Sequence, residues 1–506
     1  MTSFTDKFVK TYALFQWPRI ESMRFNSVKF QEKLFDRILY KSASCSYLKE
    51  HGIKRKSKRS DFLNQVPLTT YEDLEPYIQR MIAGERDLLC SGQVKWYAKS
   101  SGTEGAKSKF IPVTRRFMRN CYTRTNWDVV SLLYNHNPDI GIFKGKSLLM
   151  GGSLSPFDVN PKSTNGDVSA LIIEHMPSFA KAFYTPSREI ALMADWDEKL
   201  ELMTTICSEE KVVCFAGVPT WLLVLFRRIM SYKDAGDMHE VWPDAKVFIH
   251  GGVGFDPYRD EFKKMFPKED FLFLEAYTAS EGYFGIQDRM HEEGMLLLTD
   301  NGTYYEFLPL SEIDSTSPRS LQLEEIEIDT DYAIVITTSC GLWRYKIGDV
   351  VRFQEINPYR FKVVGRTKQF INTFGEELMV HNTDKAIAET CDLLSCTVSN
   401  YTAAPIFFNT KDEQPGHQWL VEFDKRPDSL KNFAEVLDMS LQKLNSDYEA
   451  KRTGDLAIQI PKVVALEKGS FDRWLRANSR WGAQVKIPRL SNDRIIIEEI
   501  LSYTNG

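Results

Sequence analysis

Hydrophobic positions along the chain change period twice. Up to about residue 60 they recur at helical spacing, as at Phe30, Leu34 and Ile38. That predicts helices, packed on a larger body or folded over it as a lid. Thr69-Thr70-Tyr71-Glu72-Asp73 then reads as a helix start, with a threonine cap and early acidic residues. From about 90 to 350 the pattern becomes short apolar runs: Ser147–Met150, Val212–Ala216, Val247–Ile249, Phe271–Leu274 and Tyr332–Thr338. Helical periodicity separates them, and several end in glycine- or threonine-rich turns. Buried strands alternating with helices predict α/β layering, a large N-terminal domain of mixed sheets and helices. Ligands of such sheets bind where strands end in loops.

After Val363-Val364-Gly365-Arg366 the texture shifts, dividing the chain into 1–365 and 366–506. Leu430, Phe433, Leu437, Leu441, Leu444 and Tyr448 predict one amphipathic helix in the second part. Strand-like Trp419–Phe423 and Leu456–Ile460 flank it, so the C-terminal part reads as a small α+β lid domain.

Composition narrows the function classes. The chain has 506 residues, 26% of them charged, and a net charge of −5. No basic footprint points to nucleic acid. Val212 to Phe226 is the longest uncharged apolar stretch, but Gly217 and Pro219 interrupt it. It falls short of the roughly 20 residues a membrane helix needs, so no membrane partner is expected. The opening Met-Thr-Ser-Phe-Thr-Asp-Lys lacks a signal-peptide pattern, and eight scattered cysteines without a CxxC pair suit a reducing cytoplasm. The eight histidines show no zinc-ligand spacing.

Four segments could carry chemistry. Ser100-Ser101-Gly102-Thr103-Glu104-Gly105-Ala106-Lys107-Ser108-Lys109 has two glycines, several hydroxyls and lysines that can converge on an anion. It is not a Walker loop, and a polar surface loop is the alternative. Tyr277-Thr278-Ala279-Ser280-Glu281 offers a ring that can stack on a base, a hydroxyl for phosphate and a carboxylate for Mg²⁺. A strand end followed by a helix cap fits it equally. In Tyr345-Lys346-Ile347-Gly348-Asp349, an aspartate after a tight glycine turn could accept from both ribose hydroxyls. His250-Gly251-Gly252-Val253-Gly254 allows close backbone approach to a flat base, with His250 read as a packed residue rather than a base. Near the end, Lys486 in Gln484-Val485-Lys486-Ile487-Pro488-Arg489 would by itself pass for a surface lysine.

Order and spacing give these pieces a joint meaning. Together they resemble the adenylate-forming superfamily, and more closely the Gretchen Hagen acyl-acid amido synthetases, the auxin-responsive promoter family. The resemblance runs from Pro67-Leu68-Thr69-Thr70-Tyr71 to Lys486-Ile487-Pro488-Arg489, most of the chain. It implies ATP and Mg²⁺ as cofactors and a small-molecule carboxylic acid and an amino acid as substrates. It implies that Ser100, Ser101, Thr103 and Lys109 hold the ATP phosphates, and that Gly251, Gly252 and Val253 border adenine, on which Tyr277 stacks. Ser280 would contact the α-phosphate, Glu281 would bind Mg²⁺, Asp349 the ribose, and Arg366 would sit near the ribose at the hinge. Lys486 resembles the mobile lysine that bridges carboxylate and α-phosphate. Glu104 departs from the family, which usually has serine or threonine there. The product class stays open between amide and CoA thioester, and a non-catalytic nucleotide-binding protein of the same fold is the third alternative.

Overall fold

The apolar runs form strands, and most of them join one 11-stranded sheet. The computed structural model describes residues 2–100, 109–177, 180–252, 255, 258–313, 315, 317–367, 370–376, 378–407, 415–452, 458–477 and 487–504. One half of the large sheet is parallel, in the order Tyr184–Thr185, Lys146–Leu149, Val212–Gly217, Val247–His250 and Leu272–Ala279. The other half is antiparallel and runs through Gly282–Ile286, Met295–Leu297, Tyr359–Arg366, Tyr345–Ile356, Asp331–Thr338 and Thr303–Pro309. Leu272–Ala279 belongs to both halves. Helices Trp196–Glu209 and Pro219–Lys233 cover the parallel half, packing Leu200, Phe226, Phe215 and Phe248 into one aromatic-rich core.

A four-stranded sheet lies beside it, in the order Lys109–Val113, Trp96–Ser100, Asn160–Gly166 and Leu154–Phe157. In it Ser100 stands opposite Lys109, and Ala98 opposite Gly166. The ends of the segment from Ser100 to Lys109 are therefore neighbours, as a loop closing a hairpin requires.

The N-terminal helices Thr2–Phe25 and Ser27–Ser42 are packing elements rather than a lid. Buried Gln31 donates to the Thr299 and Thr303 carbonyls at 2.8 and 3.0 Å and accepts from the Tyr305 amide at 2.9 Å. Among the described residues no helix is long and apolar enough to cross a membrane. All eight cysteines are free thiols, and all but Cys391 are buried.

Beyond Arg366, a three-stranded sheet of Thr397–Ile406, Gly416–Lys425 and Lys462–Leu466 packs against helices Val380–Leu394 and Leu430–Leu444, the expected α+β arrangement. Two local expectations fail. The single helix through Tyr448 stops at Leu444, because Asn445 is extended and its Oδ1 caps a second helix by accepting from the Asp447 and Tyr448 amides at 3.0 and 2.8 Å. The strand expected at Leu456–Ile460 is found four residues later than its described part, at Lys462–Leu466, where the chain pairs in parallel with Gly416–Lys425.

One buried ion pair ties the antiparallel half to the N-terminal region. Arg344 reaches Glu306 at 2.8 Å and donates to the Leu63 and Val66 carbonyls at 2.8 and 2.9 Å. Glu306 is fully buried. Arg344→Met strands that carboxylate without its cation and should cost about 3–5 kcal/mol of stability, while Glu306→Leu with Arg344→Met should recover much of it. Urea unfolding of the two variants checks this; equal losses would contradict it.

Candidate active site

Neighbouring strands of the parallel half end at one edge. Lys146–Leu149 runs into Met150-Gly151-Gly152, Val212–Gly217 into Val218, Val247–His250 into Gly251-Gly252, and Leu272–Ala279 into the turn Ser280-Glu281. Such an edge, where helical crossovers leave a crevice, is the usual ligand site of an α/β sheet. A Cβ on Gly251 would overlap the Ala276 carbonyl oxygen, so only glycine lets the turn lie against that strand. Gly252 adds a φ of +84°, in the region glycine favours.

Two sets of contacts fix the Ser280-Glu281 turn, one from the four-stranded sheet and one from a helical turn. Ser280 donates to the Lys99 carbonyl at 3.2 Å, which holds the start of the serine-glycine-threonine segment on the Ser280-Glu281 turn. Tyr122, on a π-helical turn over Met118–Thr123, donates to the Ala279 and Ser280 carbonyls at 3.3 and 3.1 Å. Tyr122 escapes sequence reading. A buried tyrosine in a helix looks the same whether it fills a core or fixes a turn.

Tyr277 and Asp349 meet across the change in strand direction. The Tyr277 hydroxyl donates to Asp349 Oδ2, and Arg366 Nε donates to Oδ1 at 2.5 Å. Asp349 and Arg366 are paired in register, which places the guanidinium on the carboxylate. The glycine turn expected before Asp349 is instead a bulge inside Tyr345–Ile356. There three residues oppose one, and Gly348 takes a φ of +95°. The Gly348 carbonyl accepts from the Thr367 amide at 2.8 Å, so the bulge also grips the chain as it leaves the sheet.

Glu281 is buried at 7% exposure, and burial pushes its carboxyl up to about 7. Lys109 and Arg366 are the cations that oppose this rise. Lys109 lies over the Tyr71 ring at 5.7 Å, and the Tyr71 hydroxyl accepts from the Phe110 amide at 3.0 Å. Among the described residues no group of three or more His, Cys, Asp or Glu side chains could hold a metal alone. A buried carboxylate here suits Mg²⁺ only if phosphate oxygens and water complete the shell. His250 stacks on Phe255 at 3.9 Å, and burial pushes its imidazole down to about 3, so it is a packed, neutral ring.

The structure thus gathers Ser100, Lys109, Gly251, Gly252, Tyr277, Ser280, Glu281, Asp349 and Arg366 around one edge. Ser101, Thr103, Glu104, Val253 and Lys486 lie outside the described residues. The chain just after Lys486 is anchored in the C-terminal unit, where Thr402 donates to the Pro488 carbonyl at 2.7 Å.

Comparison with known families gives this edge a context. The GH3 family N-terminal domain matches residues 17–271, its central domain 296–366 and its C-terminal domain 381–495. The chain belongs to the GH3 family. This GH3 chain is 23% identical to indole-3-acetic acid-amido synthetase GH3.6 of Arabidopsis thaliana, over 95% of its own length and 91% of the relative's. It is 23% identical to jasmonoyl-L-amino acid synthetase JAR4 of Nicotiana attenuata, over 91% and 90%. It shares the fold of the GH3.15 acyl acid amido synthetase, with a TM-score of 0.60, 19% identity, and 96% and 95% of the two chains covered.

The Glu281 environment makes a prediction for the ligand-free GH3 chain. Its carboxyl titrates near 7 when folded and near the ordinary ~4.3 when unfolded. Between those values the folded state binds more protons, so stability falls as pH rises. Glu281→Gln should therefore gain about 3 kcal/mol over the parent chain between pH 4.5 and 7.5 and nothing further above. Urea unfolding across that range measures it; a pH-independent difference contradicts it.

Proposed function

We propose that this chain is an ATP-dependent acyl-acid amido synthetase, converting a small carboxylic acid to its acyl-adenylate and passing the acyl group to an amino acid. The observation that carries the reading is the meeting of Tyr277, Ser280, Glu281, Asp349 and Arg366 with the start of the serine-glycine-threonine segment on one sheet edge. Membership of the GH3 family and the amide-forming names of its relatives favour an amide over a thioester product.

Carboxylates are poor electrophiles. In-line attack of a carboxylate oxygen on the α-phosphorus forms an acyl–O–P bond, and pyrophosphate departs with the electron pair of the broken P–O bond. The protein's work is positioning and charge stabilisation. Asp349 takes the ribose hydroxyls, with Arg366 beside it. Tyr277, Gly251, Gly252 and Val253 enclose adenine. Ser100, Ser101, Thr103 and Lys109 hold the phosphates, and Ser280 holds the α-phosphate. Glu281 would hold Mg²⁺, which supplies neutralisation of the charge on the departing pyrophosphate. Lys486 adds a point charge at the oxygens that become negative. An amine then forms the C–N bond as the acyl C–O bond breaks, and AMP leaves. No protein nucleophile is required.

The proposed division is 1–365 and 366–506, with the second part rotating between the half-reactions. The segment 367–377, of which 368, 369 and 377 lie outside the described residues, is exchanged into the site with Gly375 as its flexible point. Gly375 has a φ of +86°.

Pyrophosphate release from Mg-ATP with a panel of carboxylic acids, hydroxylamine as trap, tests the first half. Acid-dependent release with hydroxamate formed is expected; amino acids or CoA then identify the acceptor. Lys486→Ala should keep ATP binding and lose adenylation by about a hundredfold. Unchanged adenylation removes Lys486 from this role.

A further inference from the structure

Next to the nucleotide edge lie two charges that the adenylation half-reaction does not use. Lys451, on helix Ser446–Arg452 of the C-terminal unit, is 7% exposed. Its ammonium lies 3.9 Å from the centre of the Trp221 ring, on the helix that follows strand Val212–Gly217. Asp167 follows strand Asn160–Gly166, and its carboxylate lies where a Cβ of Gly152 would be. Among the described residues, neither the Lys451 ammonium nor the Asp167 carboxylate makes a hydrogen bond or an ion pair within 4.0 Å, and the ammonium meets the Trp221 ring instead. Yet each feels the other's field.

Lys451 is buried and Asp167 half-buried, and a purely structural pair would close to contact. The rest of the neighbourhood is already committed. Glu376, which also faces Lys451, accepts from the Phe374 amide at 2.6 Å and pairs with His417 at 2.8 Å. Lys199, which faces Asp167, donates to the Gly151 carbonyl at 2.8 Å and so fixes the turn beneath that carboxylate. Asp447 stands one turn before Lys451 on its own helix, and Lys99 on the strand next to Asp167. Opposite charges held apart across the junction of the two units, with an aromatic face between strand ends, match a zwitterion.

Location fits the same ligand. Ala98 pairs with Gly166, so Asp167 leaves its strand beside Lys99, whose carbonyl accepts from Ser280. Asp167 is thus one strand from the Ser280 turn, and Trp221 and Gly152 belong to the same carboxyl edge as Gly251.

We propose that Asp167 and Lys451 bind the acceptor amino acid, its carboxylate on the Lys451 ammonium and its amino group on Asp167, with Trp221 against its side chain. This rests on the amido synthetase reading. The acceptor arrives as an ammonium and must lose a proton before it attacks. Asp167 is the group beside it that takes that proton, and burial holds its carboxyl above the ordinary range, towards a better base. The nitrogen lone pair then forms the C–N bond while the acyl C–O bond breaks. The electron pair leaves on the AMP phosphate, and the second N–H proton goes to solvent.

The test compares three acceptors on the full chain: an amino acid that the parent chain conjugates, the same compound lacking its carboxyl group, and hydroxylamine. In Lys451→Met the preference in kcat/KM for the amino acid over the decarboxylated amine should fall about tenfold or more, as loss of one charge-assisted hydrogen bond predicts. Hydroxamate formation reports that the variant folds and adenylates. Asp167→Asn, in the other unit, gives an independent reading: slower conjugation of both amines, with hydroxamate formation kept. An unchanged preference in Lys451→Met, or equal loss with all three acceptors in both variants, overturns the proposal and leaves domain docking as their role. A parent chain that forms hydroxamates but no amide with any amino acid overturns the acceptor reading itself, a distinct outcome.

Discussion

Everything at this site depends on one strand pairing in two directions. Leu272–Ala279 is parallel to Val247–His250 on one side and antiparallel to Gly282–Ile286 on the other. A parallel neighbour must return through a crossover, so its end opens onto a crevice; an antiparallel neighbour returns at once through a tight turn. The same strand therefore delivers Tyr277 to a crevice wall and Ser280-Glu281 to a turn at its rim. The antiparallel half then carries Asp349 and Arg366 back to Tyr277. The convergence follows from backbone topology before any side chain is considered.

Electrostatics at this edge follow from burial. Asp349 is held by a hydroxyl and a guanidinium, while Glu281 is enclosed with its nearest cations acting only through their fields. One carboxylate is thus tied down, and the other is raised toward neutrality until a cation comes to it. Lys451 and Asp167 likewise act on each other only through their fields.

Much of this was legible in the chain. Five apolar runs located the starts of five strands of the large sheet to within a residue, because buried β-branched and aromatic segments have few other uses. The glycines at 251 and 252 were readable as a pair, and each has its own reason: a Cβ on Gly251 would overlap the Ala276 carbonyl, and Gly252 has a positive φ. Other features were hidden for physical reasons. Asn445 divides a helix whose apolar spacing continues across it, since capping is a matter of backbone angle rather than periodicity. Gly348 makes a bulge rather than a turn because three residues of its strand oppose one of the partner, a register that no local pattern shows. Tyr122, Asp167 and Lys451 act through neighbours distant in the chain, and no local pattern announces such contacts.

The Tyr277–Asp349–Arg366 constellation, at the change of strand direction, is the proposed nucleoside site. A crystal structure of the chain with a non-hydrolysable acyl-adenylate analogue tests it most directly. Ribose hydroxyls are expected on Asp349, and adenine between Tyr277 and Gly251-Gly252. An analogue bound elsewhere, with Tyr277 and Asp349 still joined and no ligand beside them, would contradict it.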